Sequence, residues 1–211
     1  EYLKVIEQIF EWLNDEMIDT NGGFYSSMDA DSEGIEGKYY VWTKSEIKKI
    51  LPEKDAKIFC QYYDITDGGN WEGTSIPHLI LKKDSICNIL KISEEELTTS
   101  LERSRQIVKR HRSSRISPGT DDKIIVSWNG LMISALAKAS YVLGKPEYFE
   151  AASKSTSFIL GRMSKEDGTL YRTCRNDLAH IDAFAEDYSF FGNSLIDMYE
   201  SSFDPFFLEQ S

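Results

Sequence analysis

The chain has 211 residues, of which 41% are hydrophobic and 28% are charged, and its formal net charge at pH 7 is -11. This composition is typical of a folded globular protein with a sizeable core, and it excludes a disordered chain. The negative charge disfavours nucleic acid, and no apolar stretch of about 18 residues could cross a bilayer. We therefore expect neither nucleic acid nor membrane as a partner, and we expect a cytoplasmic location.

Apolar residues recur at helical spacing through most of the chain, which predicts a mainly α-helical fold. The sequence starts at Glu1 inside an amphipathic helical pattern, so we expect a fragment of a longer protein. Two capping boxes predict helices over about 44–51 and 94–112, and the turn Asp67-Gly68-Gly69 is predicted to end the helix between them. The boxes pair Thr43 with Glu46 and Ser93 with Glu96.

The second half of the chain continues the helical pattern. One apolar stripe ends at Gly144, and Pro146 suits the first turn of a helix that runs to about Met163. Tyr188 lies in a last long helix. The segments that connect the helices include a few short stretches with strand character, which are too few for a large sheet. We expect a single domain over residues 1–211. The stretches with strand character are Tyr39–Trp42, Ile76–Leu81 and Ile124–Ser127.

An internal repeat is visible in the sequence. Residues 1–25 align without gaps on residues 147–171, and each copy reads as a helix, a glycine turn and an aromatic strand. Repeated helical units that cannot bury their apolar faces alone stack into a solenoid or close into a ring. The alternative is coincidence between two amphipathic helices with glycine stops. Identical pairs are Glu1/Glu147, Tyr2/Tyr148, Met17/Met163, Gly22/Gly168 and Tyr25/Tyr171.

Residues 22–43 combine glycine turns, aromatic side chains and carboxylates in one non-helical stretch. Asp29 and Asp31 begin a pattern similar to a calcium loop, but the position that needs a bidentate glutamate is Tyr40. We therefore expect no calcium site. The remaining alternatives are a solvated acidic turn and a carboxylate cluster that faces a ligand, with aromatic rings available for stacking.

Three further segments place a carboxylate near an aromatic residue at a turn or a helix start. Each has a structural alternative, because Asn129 suits a helix cap, Asp122 can pair with Lys123, and an early Asp187 complements a helix dipole. In a ring of helical hairpins such helix ends meet at one mouth, where residues distant in sequence form a sugar subsite. The segments are Gly69 to Gly73 with Trp71-Glu72, Asp121 to Gly130 with Trp128-Asn129, and Glu186-Asp187-Tyr188.

The sequence contains no motif for a nucleotide phosphate, and its histidines and cysteines show no metal-ligand or disulfide spacing. We therefore predict no cofactor and no metal, structural histidines, and buried free thiols. The basic run Arg103–Arg115 is interpreted as a solvated helix face or as structural partners of acidic loops. The residues concerned are His78, His111, His180, Cys60, Cys87 and Cys174.

Five segments that span nearly the whole chain carry a resemblance to a known family. Their order and spacing are similar to those of the thioredoxin-domain-containing proteins related to spermatogenesis-associated protein. Beyond their thioredoxin-like domain, such proteins resemble the six-hairpin (α/α) toroids of glycosidases and N-acylglucosamine 2-epimerases. The segments are GGFYSSMDADSEG, EGKYYVWT, GNWEG, DDKIIVSWNGLMISALAKA and EDYSFFGNSLIDMYE.

The resemblance implies that the chain is part of an (α/α) toroid of helical hairpins, with short β-hairpins in the connecting loops. Two departures limit what it implies. The thioredoxin-like domain and its cysteines are absent, so no redox activity is carried over. A toroid needs about twelve helices and only seven or eight are predicted, so we expect a partial ring whose apolar edge self-associates or binds a protein partner.

Two hypotheses of function follow. The first is a carbohydrate-binding or carbohydrate-modifying site, glycosidase- or epimerase-like if it is catalytic, with a small sugar as ligand. A hydrolase needs two carboxylates about 5–5.5 Å apart for retention or about 6.5–9.5 Å apart for inversion. The second is a non-catalytic helical scaffold of a thioredoxin-like protein. For the first, the predicted catalytic residues are Asp29, Asp31, Glu72, Asp122 and Asp187, and the predicted ligand-binding residues are Tyr25, Trp42, Trp71, Trp128, Asn129 and Tyr188.

Overall fold

A computed structural model describes residues 2–211 of the chain. Over these residues the protein is mainly helical with short antiparallel strands, which confirms the coarse fold class predicted from the sequence. The elements in chain order are α1 (Tyr2–Glu16), β1 (Tyr25–Met28), β2 (Asp31–Ser32), β3 (Ile35–Glu36), α2 (Lys44–Ile50), α3 (Glu53–Tyr62), α4 (Lys83–Leu90), α5 (Glu94–Arg112), β4 (Thr120–Ile125), α6 (Val126–Leu143), α7 (Pro146–Arg162), β5 (Tyr171–Arg175), β6 (Leu178–Asp182), α8 (Ala185–Ser202) and α9 (Pro205–Glu209).

The chain forms two compact units. Unit 1 comprises residues 2–28 and 120–211, and unit 2 comprises residues 29–119. Unit 1 contains α1, the long helices α6 to α8 and a four-stranded antiparallel sheet in the order β1-β4-β5-β6. Unit 2 contains α2 to α5 and the two-stranded hairpin β2-β3, and its core gathers the apolar faces of its four helices.

Most predicted helix boundaries are confirmed within a residue, and the caps explain why. Thr43 accepts from the Glu46 backbone N–H at the start of α2 while the Glu46 carboxylate accepts from the Thr43 N–H, which completes a capping box. Ser93 caps α5 in the same way, but no return bond from Glu96 completes the box, because that carboxylate pairs with Lys54.

Two predicted boundaries and two predicted strands are wrong. Helix α3 ends at Tyr62, well before Asp67-Gly68-Gly69, because Asp64 adopts a left-handed φ of 51° and the Ile65 N–H bonds back to the Cys60 carbonyl. Strand β4 stops at Ile125, and helix α6 begins at Val126, one residue before the predicted strand end at Ser127. Residues 76–81 form no strand, and within 39–42 only Trp42 forms a β-bridge, with Ser75.

In unit 1 the two copies of the internal repeat make the same backbone hydrogen bonds. In the first copy the Tyr25 N–H donates to the Met17 carbonyl over 2.9 Å, and in the second the Tyr171 N–H donates to the Met163 carbonyl over 2.7 Å. The glycine turns also match, because Gly22 and Gly168 each donate to the residue three positions before, over 2.9 and 3.0 Å. The two turns therefore share one backbone structure at an offset of 146 residues.

A second offset, of 59 residues, relates α6 to α8. Both helices end in a left-handed residue, Gly144 with φ 65° and Phe203 with φ 57°, and both are followed two residues later by the proline that opens the next helix. Helices α6 and α8 run parallel, since Lys138 and Asp197, which lie equally deep in the two helices, form an ion pair over 2.8 Å. Unit 1 is thus two copies of one helical hairpin followed by the short helix α9, which opens with a proline as α7 does.

Unit 2 is inserted into the β-hairpin of the first copy. Strands β5 and β6 are joined by the two left-handed residues Asn176 and Asp177, whereas β1 and β4, which pair in the same antiparallel way, are separated by residues 29–119. At the open end of the β1-β4 pair, Met28 lies opposite Thr120.

Candidate functional site

The N-terminal ends of α6 and α8 lie side by side in unit 1, and Asp187 joins them. Its carboxylate accepts from the Ser127 N–H of α6 over 3.0 Å and from the Phe184 N–H at the start of its own helix over 2.9 Å. Gly130 permits this approach, because a Cβ atom there would lie 2.7 Å from the Phe190 backbone. Asp187 is fully buried and acts here as a double cap of two helix ends.

Arg172 of β5 covers the same place from the sheet. Its guanidinium contacts Asp187 over 3.0 Å and the exposed carboxylate of Glu186 over 2.7 Å, and it lies 4.7 Å from the ring centre of Phe184. These contacts raise the pKa of Arg172, mainly through its hydrogen bond to Glu186. Of the two adjacent carboxylates, Glu186 is the one that a ligand can reach.

Three aromatic side chains at this end of the helix pair are open to solvent. Trp128 is 53% exposed, Phe184 57% and Tyr188 41%. The Tyr188 hydroxyl accepts from the Leu170 N–H over 2.9 Å, which fixes its ring against the turn that precedes β5. Of the three rings, Phe184 is the one that lies against the charged pair, and an exposed aromatic face in such a position is of the kind that stacks on sugar rings.

Asn129, predicted to contact a ligand, is buried and has a structural role. Its amide accepts from the Phe24 N–H and donates to the Phe24 carbonyl, and its oxygen also accepts from the Ser155 hydroxyl. Asn129 and Tyr188 occupy equivalent positions, the fourth residue of α6 and of α8, and each holds the backbone N–H at the end of a repeated turn. Asn129 therefore has no polar group left for a ligand.

Tyr25 and Asp122 lie in the sheet of unit 1. Burial and the neighbouring Asp19 raise the pKa of Tyr25, whose hydroxyl lies 3.4 Å from that carboxylate. Asp122 pairs over 2.5 Å with Arg175 of β5, and Lys123 pairs instead with Asp121. The predicted pairing of Asp122 with Lys123 is thus wrong, and the ion pair of Asp122 with Arg175 ties β4 to β5.

The acidic stretch forms a hairpin in unit 2. Asp29 accepts from the Asp31 N–H, and strands β2 and β3 meet around the two left-handed residues Glu33 and Gly34. This two-residue turn is the type that matches strand twist, and Glu33 also forms an ion pair with Lys38. Asp29 and Asp31 are exposed at this hairpin. The solvated-turn alternative accounts for them.

Trp71 and Glu72 lie at a second turn of unit 2. The Trp71 and Thr74 backbones exchange both hydrogen bonds, and Glu72 and Gly73 between them have φ values of 46° and 79°. Trp71 is partly exposed and Glu72 points from an exposed tip. A carboxylate and an indole are therefore adjacent at an exposed turn.

Trp42 is 3% exposed and belongs to the core of unit 2. The Arg115 guanidinium lies 3.9 Å from the centre of its ring and donates to the carbonyls of Lys38, Tyr39 and Val41. Burial lowers the pKa of Arg115. Trp42 therefore has no open face on which a ligand could stack, and it is a core residue of unit 2.

A cavity of 560 Å³ lies between α2 and α3 in unit 2, and none of the predicted sugar-site residues lines it. Cys60 is one of its lining residues, and burial raises the pKa of this thiol and of Cys174. Within residues 2–211 no group of three or more histidine, cysteine or acidic side chains is arranged to hold a metal ion. No helix in the same range has the length and apolarity needed to cross a bilayer.

The structure thus defines a mainly helical protein with a duplicated helical hairpin and an inserted unit. The chain is similar to spermatogenesis-associated protein 20 of Homo sapiens, with 28% identity over 99% of this chain, and of Mus musculus, with 27% identity over 99%. An uncharacterized protein of Caenorhabditis elegans is 31% identical over 92% of the chain. These relatives support the resemblance to the spermatogenesis-associated family. The chain spans about 31% of their length. No family model matches it.

Three residues at the end of the helix pair were not among the predicted site residues: Arg172, Phe184 and Glu186. Glu186 stood beside Asp187 in the sequence, but nothing in the pattern ranks one early-helix carboxylate above the other. Phe184 lies at the site because it is the N-cap residue of α8, whereas Arg172 reaches the site because β5 packs beside the start of α8. The signal that could have indicated Arg172 is the pair of adjacent carboxylates, because such a pair needs a positively charged partner when one member is buried.

Proposed function

We propose that the N-terminal end of the α6-α8 helix pair binds a mono- or disaccharide. The supporting observation is the accessible Glu186–Arg172 pair with the Phe184 ring against it, at an end of the helix pair that also exposes Trp128 and Tyr188. Trp128, Phe184 and Tyr188 supply stacking faces, and Glu186 with Arg172 supplies an acceptor and a donor for sugar hydroxyls.

This proposal is one of binding, because the carboxylate geometry does not favour hydrolysis. Both oxygens of Asp187 already accept hydrogen bonds or an ion pair in a fully buried place, and Asp122 is paired with Arg175. A general acid needs a raised pKa and contact with the leaving oxygen. The other three predicted catalytic carboxylates, Asp29, Asp31 and Glu72, are all in unit 2.

We further propose that the two hairpins of unit 1 are consecutive members of an (α/α) ring. The matching hydrogen bonds of the two turns and the parallel packing of α6 and α8 support this arrangement. In such a ring the starts of equivalent helices gather at one mouth, as those of α6 and α8 do here.

A thermal-shift titration against a panel of mono- and disaccharides tests the binding proposal. A ligand that binds only the folded state raises the melting temperature, by an amount that grows with its concentration. We expect a rise with at least one sugar, and we expect Trp128→Ala and Phe184→Ala to abolish it. Trp71→Ala is the matched control, since it removes a partly exposed indole of unit 2 and should leave the rise unchanged. The absence of any rise across the panel would contradict the proposal.

A scaffold without catalysis is the second candidate, and one observation favours it. Trp128 and Asp187 occupy equivalent positions at the offset of 59 residues, and Asp187 contacts the neighbouring helix. Because Asp187 points from α8 towards α6, the equivalent Trp128 points from α6 towards the side on which another equivalent helix would pack. An indole that is exposed for this reason serves helix packing, self-association or a protein partner. In that case Trp128→Ala changes assembly without changing any sugar titration.

A further inference from the structure

The cavity between α2 and α3 of unit 2 is built on two rows of side chains from α3. Residues four positions apart lie on the same face of a helix, so each row follows the length of the cavity. Ala56 and Cys60 form a buried row. Glu53, Lys57 and Gln61 form a more exposed row beside it. The cavity therefore has a floor of small buried side chains and a polar rim.

The floor of the cavity is apolar. Ala56 and Ile65 are each 2% exposed, and Cys60 is 8% exposed. Ile65 reaches the cavity because the turn after α3, with Asp64 at a left-handed φ of 51°, returns the Ile65 N–H to the Cys60 carbonyl over 2.9 Å. Burial raises the pKa of the Cys60 thiol, so the thiol is uncharged at pH 7. Such a floor favours the apolar part of a ligand over water.

Two charged residues of the rim already have a partner. The Lys44 ammonium pairs with the Asp67 carboxylate over 2.6 Å, and the Asp64 carboxylate lies 3.5 Å from Nε2 of His78. These contacts join the rim to the loop that follows α3. Lys44 and Asp64 are therefore less available to a ligand than the remaining polar groups of the rim.

Three side-chain donors of the rim are free. Within residues 2–211 the ammonium groups of Lys48 and Lys57 form no ion pair, and the Gln61 side-chain amide makes no hydrogen bond. Glu53 has no ion-pair partner in the same range either, and its place in the first turn of α3 complements the helix dipole. Free ammonium and amide groups above an apolar floor match a ligand that has an anionic group at one end.

We propose that this cavity binds a small monocarboxylate with an apolar body, such as a fatty acid or an aromatic acid. The apolar body lies on the floor, and the carboxylate accepts from Lys48 and Lys57. The volume of 560 Å³ lies within the range of about 300–1,000 Å³ that is typical of small-molecule sites. Glu53 and Asp64 on the same rim disfavour an anion of higher charge. The proposal does not depend on sugar binding at the α6-α8 helix pair.

Isothermal titration calorimetry of the full chain with octanoate and with 1-naphthoate tests the site and distinguishes the two kinds of apolar body. We expect at least one of these acids to bind, with one ligand per chain. Octylammonium and 1-naphthylmethylammonium carry the same apolar bodies with the opposite charge. Each should bind about tenfold or more weakly than the corresponding acid, because it meets ammonium groups at the rim. No binding of either acid, or equal affinity for an acid and its ammonium counterpart, would overturn the proposal.

Two neighbouring lysines of α2 provide a matched pair of variants. Lys48→Gln should weaken binding of the acid about fivefold, whereas Lys49→Gln should leave it unchanged, since Lys49 is exposed and does not line the cavity. Cys60→Phe should abolish binding by filling the floor. Lys57→Glu, at an exposed position where folding is not at risk, should weaken binding more than Lys48→Gln does. Equal effects of Lys48→Gln and Lys49→Gln, or unchanged binding in Lys57→Glu, would show that the acid does not occupy this cavity.

Discussion

At the residue scale, the polar side chains that look most catalytic in the sequence hold the backbone. Asp187 and Asn129 each accept from two backbone or side-chain donors that belong to a different element. An acidic residue at a helix start is compatible with a cap or with a catalytic role, and the sequence contains no information on which donors surround it. Only the packing of β5 and α6 around α8 decides between these roles.

Replacing Asp187 should destabilise unit 1 strongly. Asp187→Ala leaves the Ser127 and Phe184 N–H groups and one face of Arg172 unpaired in a buried place, so we expect a loss of about 3 kcal/mol or more in the free energy of unfolding. Glu186→Gln is the matched control, since it removes the exposed partner of the same arginine and should cost less than about 1 kcal/mol. Urea unfolding compares the two. Similar costs would show that Asp187 is not the double cap described here.

Asp55 gives unit 2 a defined dependence on pH. The Arg103 guanidinium, which donates twice to this buried carboxylate, and the Ser100 hydroxyl hold the pKa of Asp55 below its usual range. A lowered folded-state pKa contributes stability that is present above about pH 4 and is lost as the pH falls through the folded-state pKa.

Asp55→Asn should therefore be less stable than the natural chain at pH 7, by a difference in unfolding free energy that stays constant down to about pH 5 and shrinks below about pH 4. Urea unfolding followed by tryptophan fluorescence measures this difference. Glu53→Gln, at an exposed carboxylate of the same helix, serves as the control. A difference that grows in acid would contradict the assignment.

At the element scale, local signals predicted the helices well. Capping hydroxyls, Pro146 and the left-handed Gly144 fix helix ends through contacts within a few residues, which the sequence contains. The end of α3 was predicted incorrectly because a non-glycine residue, Asp64, takes the left-handed conformation. The β4 strand was misplaced because its pairing with β1 depends on residues almost a hundred positions away.

The two repeated turns allow a matched comparison. Gly22→Ala and Gly168→Ala both place a methyl group at a positive φ, which costs about 1–2 kcal/mol. At Gly22 the new Cβ atom also meets the Lys154 side chain and backbone, so we expect at least about 1 kcal/mol more. Thermal unfolding of the two variants measures the stability cost of each substitution. Equal costs would mean that α7 does not lie against the first turn as described.

At the scale of the whole molecule, the sequence revealed the offset of 146 residues but not the insertion. A gapless alignment detects the first helix and turn of each hairpin, whereas the second helices are displaced by the residues of unit 2. A single domain was therefore the natural expectation, and the open β1-β4 pair is visible only in the strand pairing. The relatives extend well beyond the part that this chain matches, so the activity of the whole protein stays a proposal.

Removal of unit 2 should leave a folded unit 1. Joining Met28 to Thr120 through Asn-Gly recreates the two-residue hairpin that Asn176 and Asp177 form in the second copy. We expect the shortened protein to keep helical circular dichroism and to unfold in one cooperative transition. Loss of cooperative unfolding would show that unit 1 depends on unit 2.

The binding site on the α6-α8 helix pair is tested most directly by fluorine NMR of the full chain labelled with fluorotryptophan. The chain has four tryptophans, Trp12, Trp42, Trp71 and Trp128, and a Trp→Phe variant of each assigns its resonance. The proposal predicts that a sugar from the thermal-shift panel moves the Trp128 resonance saturably and leaves the buried Trp42 unchanged. A sugar-dependent shift confined to Trp71 or Trp12, or no shift with any sugar, would contradict it.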